Sequence, residues 1–256
     1  MSRTPSLPLY LSAPQSCAYL PGRMSSSLFV DPDGPMDMAL YGQLLRRGFR
    51  RSGSLVYRPH CEGCRQCLSV RIPVVQFQPR RRHRRILKLN RDVELIPCNA
   101  RLQAEHFHLY QAYTASRHAG GNMADSTPAD YMDFLSSRWS QTQFIELRER
   151  GELLGVAVTD QLADGLSAVY TFFEPDLPQR SLGTFAVLSQ ISLARQLGLP
   201  YLYLGYWVRD CRKMVYKADY RPVQVFSQEN WVQFEQGERI EVAELGALHA
   251  ASADLL

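Results

Sequence analysis

The sequence has no long hydrophobic run. Its apolar stretches are broken by charge well short of the roughly 20 residues that a bilayer-spanning helix requires. The opening "MSRTPSLPLYLSAP" lacks the apolar core of a secretory leader, so it reads as a cytosolic start. No segment repeats at a fixed period, which argues against a solenoid or propeller. Cysteine is sparse, six in 256 residues, and Cys17, Cys98 and Cys211 are scattered. That usage excludes a disulfide scaffold and points to reduced thiols in the cytoplasm.

What remains is an ordinary soluble composition, 45% hydrophobic and 21% charged. The length fits one large domain or two modest ones. The net charge of +4 hides an asymmetry: residues 46–101 carry 15 basic and 3 acidic side chains, whereas residues 102–256 carry 12 and 19. A block so basic beside an acidic remainder points to a polyanionic partner, and the plainer reading is a solvated arginine-rich face. Arg81, Arg84, Arg85 and Lys88, in "RRRHRRILKLNRD", are the candidate nucleic-acid contacts.

Three thiols recur at steps of three in "YRPHCEGCRQCLSV": Cys61, Cys64 and Cys67. Structural zinc takes four ligands, so Cys17 would have to be the fourth, and an iron–sulfur cluster is the other group such spacing suits. The competing reading is a set of structural or redox-sensitive thiols with no metal, and the spacing leaves both open.

Periodicity predicts a helix over 36–48 stopped by Gly48, strands at 55–59 and 68–77, a basic helix or loop at 80–92 and a short strand at 93–97. Helices follow at 102–118 and from Thr127–Pro128. Turn pairs Arg150–Gly151 and Asp164–Gly165 then join three antiparallel strands. A helix ends at Gly198, a buried strand spans 199–208, and one or two strands precede a terminal helix or frayed tail. Residues 1–45 show little periodicity. The order predicts an α+β fold of the N-acyltransferase kind, with a smaller basic, cysteine-containing domain over 1–100 and a GNAT-like domain over 101–256.

At the helix entrance, Arg180-x-x-Gly183 is a partial anion-binding loop, because helix N-termini present unsatisfied N–H groups. Phe185 crowds the last small position, and the alternative is Ser181 as a helix cap with Gly183 for close packing. A CoA-dependent N-acetyltransferase is therefore one reading, and a non-catalytic RNA- or zinc-binding module another.

Longer motifs carry a specific resemblance. Arg180–Ser181–Leu182–Gly183, Leu204–Gly205–Tyr206–Trp207, Cys211, Lys213–Met214, Tyr216–Lys217 and Tyr220 resemble the C-terminal signature of the aminoacyl-tRNA–protein transferases. "CAYLPGR", "LRRGFRRSGSLVYRPHCEGCRQCLSVRIPV" and "RRILKLNRD" are similar to that family's N-terminal part, and the resemblance spans about residues 7 to 235. Within the family the chain resembles the short bacterial, leucyl-transferring type. Leu20 stands where larger relatives place a second cysteine, and Arg80–His83 replaces a Ser/Arg/Gln-rich segment.

The resemblance implies transfer of leucine from leucyl-tRNA to the α-amine of proteins beginning with Asp or Glu, creating a degradation signal. Arginyl transfer is the alternative. Such ester aminolysis needs a proton acceptor for the amine, donors for an oxyanion and a cation for the acidic side chain. The candidates are Tyr206, Tyr216 and Lys217 for catalysis, and Arg180, Gly183, Arg71 and Lys213 for substrate. Arg209 and Arg212 lie in the same run as Tyr206 and Lys217, and Arg58 and Arg71 flank the cysteine turn. Each tyrosine also reads as a packed aromatic with a satisfied hydroxyl, and Trp207 and Phe185 as core.

Overall fold

A computed structural model describes residues 7–117 and 126–241. In chain order the elements are β1 (Leu9–Leu11), β2 (Gln15–Ser16), β3 (Met24–Ser25), β4 (Ser27–Val30), α1 (Met38–Arg46), β5 (Arg50–Ser52), β6 (Leu55–Pro59) and β7 (Leu68–Pro73). Next come α2 (Arg81–Leu89), β8 (Glu94–Asn99), α3 (Ala104–Arg117), α4 (Pro128–Leu135), β9 (Thr142–Glu149), β10 (Glu152–Leu162) and β11 (Gly165–Phe173). The chain continues with α5 (Leu182–Gln196), β12 (Tyr201–Trp207), β13 (Val223–Ser227) and β14 (Asn230–Phe234). The fold is mixed α+β. The tail expected to form a terminal helix lies outside the described residues.

Two compact units make up the chain: residues 1–72 with 204–256, and residues 73–203. The division differs from the expected boundary near residue 100, which falls inside the second unit. The difference arises because β13 pairs with β7, Gln224 opposite Arg71 and Val225 opposite Val70, across some 150 residues of sequence that no local pattern links.

In the first unit, strands run in the order β1-β4-β6-β5. The weak pattern of residues 1–45 conceals strands because β1 pairs through its backbone while Tyr10 and Leu11 stay more than half exposed. Without a buried face there is no alternation to detect. Helix α1 starts where Asp37 accepts from the Leu40 N–H at 2.8 Å. It ends before Gly48, whose φ of +83° a side chain would strain. A Cβ at Gly48 would also come within 2.9 Å of the Phe226 ring.

The second unit has the neighbour order β8-β9-β10-β11-β12. Arg150 and Gly151, both at positive φ, make the two-residue turn between β9 and β10. Strands β11 and β12 are parallel, Gly165 opposite Tyr201, with α5 as the crossover. Gly165 is required by that approach, since a Cβ there would sit 2.6 Å from the Tyr201 carbonyl oxygen. The core gathers Leu109, Tyr110, Tyr131, Leu135, Phe144, Val156, Val158 and Phe172. Tyr110 meets Tyr131 and Phe172 edge-on at 5.0 and 5.6 Å, the arrangement aromatic quadrupoles favour. Phe185 is buried in this unit and Trp207 in the first, as expected.

The segment read as helix or loop is helix α2. His83, Ile86 and Asn90 face inward, while Arg81, Arg84, Arg85 and Lys88 face solvent. His83 Nδ1 accepts from the Arg80 N–H at 3.3 Å, tying down the first turn.

Candidate functional site

The cysteine turn begins the site. Gly63, at φ +64°, lets the chain reverse between Cys61 and Cys64, which form a bridge pair. Arg65 Nη1 donates to the carbonyl oxygens of both cysteines and pins the turn. Cys17, Tyr19, Cys64, Cys67 and Met214 pack around a small core of Leu20, Val208 and Cys211. Burial pushes the Cys67 thiol up to about 12, with the neighbouring thiols adding to the shift. Cys211, which sequence spacing did not connect to the turn, thus joins the cluster.

Tetrahedral zinc would hold its sulfurs about 3.8 Å apart. Among the described residues, only Cys98, His106 and Glu146 bring three such ligand atoms within 4.8 Å of one another. The thiols of the turn have other partners. Cys17 Sγ accepts from the Leu20 N–H at 3.4 Å, Cys64 Sγ accepts from Arg23 at 3.5 Å, and Cys61 Sγ donates to the Ser26 carbonyl at 3.6 Å.

Beside this turn lies a cavity of about 120 Å³. Arg47, Arg58 and Arg65 line it, with the thiol-bearing turn as one wall and Tyr206, Ser69 and Gly48 among its other lining residues. Glu229 also lines it, as does Gln66, whose buried Oε1 has no donor. Arg58 lies 5.0 Å over the Phe49 ring, and its Nη1 is 3.8 Å from the Glu229 carboxylate, beyond hydrogen-bond reach.

The expected catalytic residues stand close to one another. Tyr206 directs its hydroxyl at the carbonyl oxygens of Gly48 and Tyr57, at 3.1 and 3.0 Å. Burial holds its pKa well above the usual phenol value. A hydroxyl that donates to backbone carbonyls in a buried site has its proton engaged within the protein. Lys217 is buried, donates to the Tyr206 carbonyl at 2.8 Å, and has its pKa lowered to about 7 by burial, with Arg50 contributing. Tyr216 is 37% exposed, its ring edge-on to Tyr220, and Lys213 is exposed.

Arg71 is engaged within the protein. Its Nε donates to Gln224 Oε1 at 2.7 Å and its guanidinium lies 4.2 Å over the Trp231 ring.

In the second unit, Arg180 meets carboxylates with both terminal nitrogens. It donates to Asp92 through two bonds of 3.1 Å and to Glu149 at 2.5 Å. The pair holds Asp92 down at about 2. The arginine expected to face substrate is therefore neutralised by its own unit. Ser181 sits at the N-cap in a left-handed conformation and makes no side-chain cap bond, so the capping expected of it is not formed. Gly183 packs closely, as the alternative reading held: a Cβ there would lie 3.0 Å from the Phe173 ring.

A buried network that the sequence did not reveal joins Cys98, His106, Glu146 and Arg148. His106 Nε2 lies 2.7 Å from Glu146 Oε1, while Arg148 Nε donates to Glu146 Oε2 at 2.5 Å. Cys98 donates to Glu146 at 3.6 Å, and burial pushes its thiol up to about 11. The residues come from β8, α3 and β9, so no spacing rule relates them.

Two family models match the chain: "Arginine-tRNA-protein transferase, N terminus" over residues 15–85 and its C-terminus over residues 105–227. The chain belongs to the arginine-tRNA-protein transferase family. Among its relatives in that family is the aspartate/glutamate leucyltransferase of Alkalilimnicola ehrlichii, 50% identical over 88% of this chain and 95% of the relative. The enzyme of the same name from Nitrosococcus oceani is 49% identical over 87% and 94%, and that from Pseudomonas aeruginosa 46% identical over 91% and 99%. L-PGS from Bacillus licheniformis is similar to 67% of this chain and 50% of its own, with TM-score 0.43 and 12% identity. The cysteine turn and the cavity's Arg47, Arg58 and Arg65 fall within the N-terminal family match, and Tyr206, Tyr216 and Lys217 within the C-terminal one.

Proposed function

We propose that this chain transfers leucine from leucyl-tRNA to the α-amine of proteins beginning with Asp or Glu. The observation that carries the reading is near-half identity, over most of both chains, to relatives named for that activity. The acceptor amine attacks the leucyl ester carbonyl, a tetrahedral intermediate forms, and the 3′-terminal ribose oxygen leaves. The donor ester is already activated, so the enzyme's work is positioning and charge stabilisation.

In this reading the outward face of α2, with Arg81, Arg84, Arg85 and Lys88, meets tRNA phosphates. The meander β9–β11, helix α5 and parallel strand β12 form a GNAT-like acyltransferase layer. Arg212 and Lys213 are exposed cations a few residues before Tyr216, and Tyr216 is the tyrosine of the pair that solvent and substrate reach. A cytoplasmic location fits a tRNA donor, and among the described residues no helix is long and apolar enough to cross a membrane. The leucine added would act as a degradation signal.

The test is incubation of Glu-, Asp- and Gln-starting peptides with labelled leucyl- and arginyl-tRNA. Leucine on the acidic peptides alone is expected. Transfer of arginine instead would favour the second reading, which the description of the family models supports. Tight binding of acetyl-CoA with no aminoacyl transfer would replace both.

A further inference from the structure

Three side chains of metal-ligand type meet inside the second unit, which holds none of Tyr206, Tyr216 and Lys217. Cys98 of β8, His106 of α3 and Glu146 of β9 bring a sulfur, a ring nitrogen and a carboxylate oxygen within 4.8 Å of one another. His106 and Glu146 are buried and Cys98 is half-buried. Two ligands of one tetrahedral zinc ion stand about 3.3–3.5 Å apart, given bonds of about 2.0 Å to N or O and about 2.3 Å to S. Cys98 Sγ is 3.6 Å from Glu146 Oε1, already close to that separation. His106 Nε2, 2.7 Å from the same oxygen, reaches it by moving back about 0.6 Å. The third pair, Cys98 and His106, closes by no more than about 1.3 Å.

The surroundings suit an ion. Arg148 Nε donates to Glu146 Oε2 at 2.5 Å, and its terminal nitrogens hold the Glu105 carboxylate at 3.1 and 2.6 Å. Glu146 is thereby fixed with Oε1 turned to Cys98 and His106, as an outer partner orients a metal ligand. Gln103 Nε2 lies 3.9 Å from Cys98 Sγ, placed to support a thiolate. A divalent cation with one thiolate and one carboxylate is neutral, and Glu105 balances Arg148, so no net charge is left uncompensated. The independent observation is Tyr131. It is fully buried, its hydroxyl has no hydrogen-bond partner, and it belongs to the core against which Cys98 packs. Its hydroxyl is also electrostatically coupled to the Cys98 thiol. His106 Nδ1 is likewise buried without a partner. Hydrogen bonds within the protein therefore leave this cluster incomplete.

We infer that Cys98, His106 and Glu146 form a zinc site, with the Tyr131 hydroxyl beside a water on the ion's fourth position. The inference is independent of the leucyl-transfer reading. On binding, the thiol proton leaves to solvent, the Nε2 proton shifts to Nδ1, and bonds from sulfur, nitrogen and oxygen to the metal form with no change of oxidation state. The mixed donor set selects zinc over calcium and magnesium, which take oxygen ligands. The ion fastens β8, the end strand of its sheet, and helix α3 to β9.

The experiment uses the full chain, stripped with a chelator under reducing conditions and titrated with Co(II), with Zn(II) as competitor. One equivalent of cobalt with a thiolate charge-transfer band is expected, displaced by zinc. The cysteine turn also carries thiols, so variants separate the two sources. Cys98→Ser and His106→Gln should each weaken cobalt binding at least about a hundredfold, beyond the cost of losing an outer contact, while Cys64→Ser leaves band and affinity unchanged. Zinc at a hundredfold excess over its dissociation constant should raise the melting temperature of the wild type by about 5–10 °C and that of Cys98→Ser by less than about 2 °C. A wild-type chain with no cobalt–thiolate band would overturn the site, and this arm stands whether or not a variant folds. A band that survives in Cys98→Ser and His106→Gln, or disappears in Cys64→Ser, would also overturn it and assign the metal to the cysteine turn.

Discussion

The Nζ of Lys217 lies 2.8 Å from the carbonyl oxygen of Tyr206, buried, with its pKa lowered to about 7. The unfolded chain keeps an ordinary lysine, near 10.5. Between those values the unfolded state holds a proton that the folded state has released, so stability rises with pH across that window. Below about pH 7 both states are charged and the cost of burying the cation is fully present. Lys217→Met removes the titration. The melting temperature of the wild type should therefore gain on that of the variant between pH 7 and pH 9, measured by circular dichroism. Parallel profiles would show that the amine is not the group responsible.

Tyr206→Phe tests whether the hydroxyl moves protons or holds backbone. Its partners are two carbonyls, of Gly48 and Tyr57, so the substitution should cost about 1 kcal/mol of stability. Leucine transfer at saturating peptide should change by less than about threefold, because a donor bond to backbone is not a step in the reaction. A hundredfold fall in kcat with stability intact would return Tyr206 to the role of proton carrier.

Arg180 joins Asp92 and Glu149 within one unit. Arg180→Ala should lower the melting temperature by a few degrees. A double-mutant cycle with Glu149→Gln should show favourable coupling of about 0.5–1 kcal/mol, the upper range for partly exposed pairs. Asp92, lowered from 3.8 to about 2, stabilises above its unfolded pKa and loses that contribution as pH falls toward 2. The wild type should thus lose its advantage over the variant in acid. A variant of normal stability that no longer uses leucyl-tRNA would assign this arginine to substrate instead.

The outward arginines of α2 make a prediction about salt. Replacing Arg81, Arg84 and Arg85 by Gln should leave the melting temperature unchanged, since the packing residues are His83, Ile86 and Asn90. It should weaken leucyl-tRNA binding and flatten the plot of log affinity against log salt by up to about one unit for each phosphate that is no longer neutralised. An unchanged slope would mark those side chains as a solvated face.

Much of this molecule was legible in its sequence, for physical reasons. Strands β9 to β11 were visible because tight turns at Arg150–Gly151 and near Gly165 punctuate alternating segments. Helix α4 was visible because Thr127 caps it, accepting from the Asp130 N–H at 3.2 Å, and Pro128 opens it. Strand β1 was not, because its side chains stay exposed and carry no alternation. The unit boundary was hidden in the pairing of β7 with β13, a long-range choice that local patterning does not encode.

The site was legible in part. Motif order drew attention to Tyr206, Lys217 and the cysteine turn, and these lie in one unit. It did not reveal that Arg180 is matched by Asp92 and Glu149, because the three come from distant segments. Nor did it single out Gln66 or Glu229, whose interest comes from an unmet acceptor and a loose ion pair rather than from residue type.

The interrupted first unit bears on synthesis. Its opening 72 residues leave the ribosome long before β13 and β14, which complete its sheet pairing, whereas residues 73–203 emerge as one uninterrupted run. The early segment must therefore wait, with the backbone of β7 unpaired toward β13, until translation is nearly finished. Nascent chains stalled before residue 223 should be cut by protease within the opening segment while the middle stretch resists, an order of maturation opposite to the order of the code.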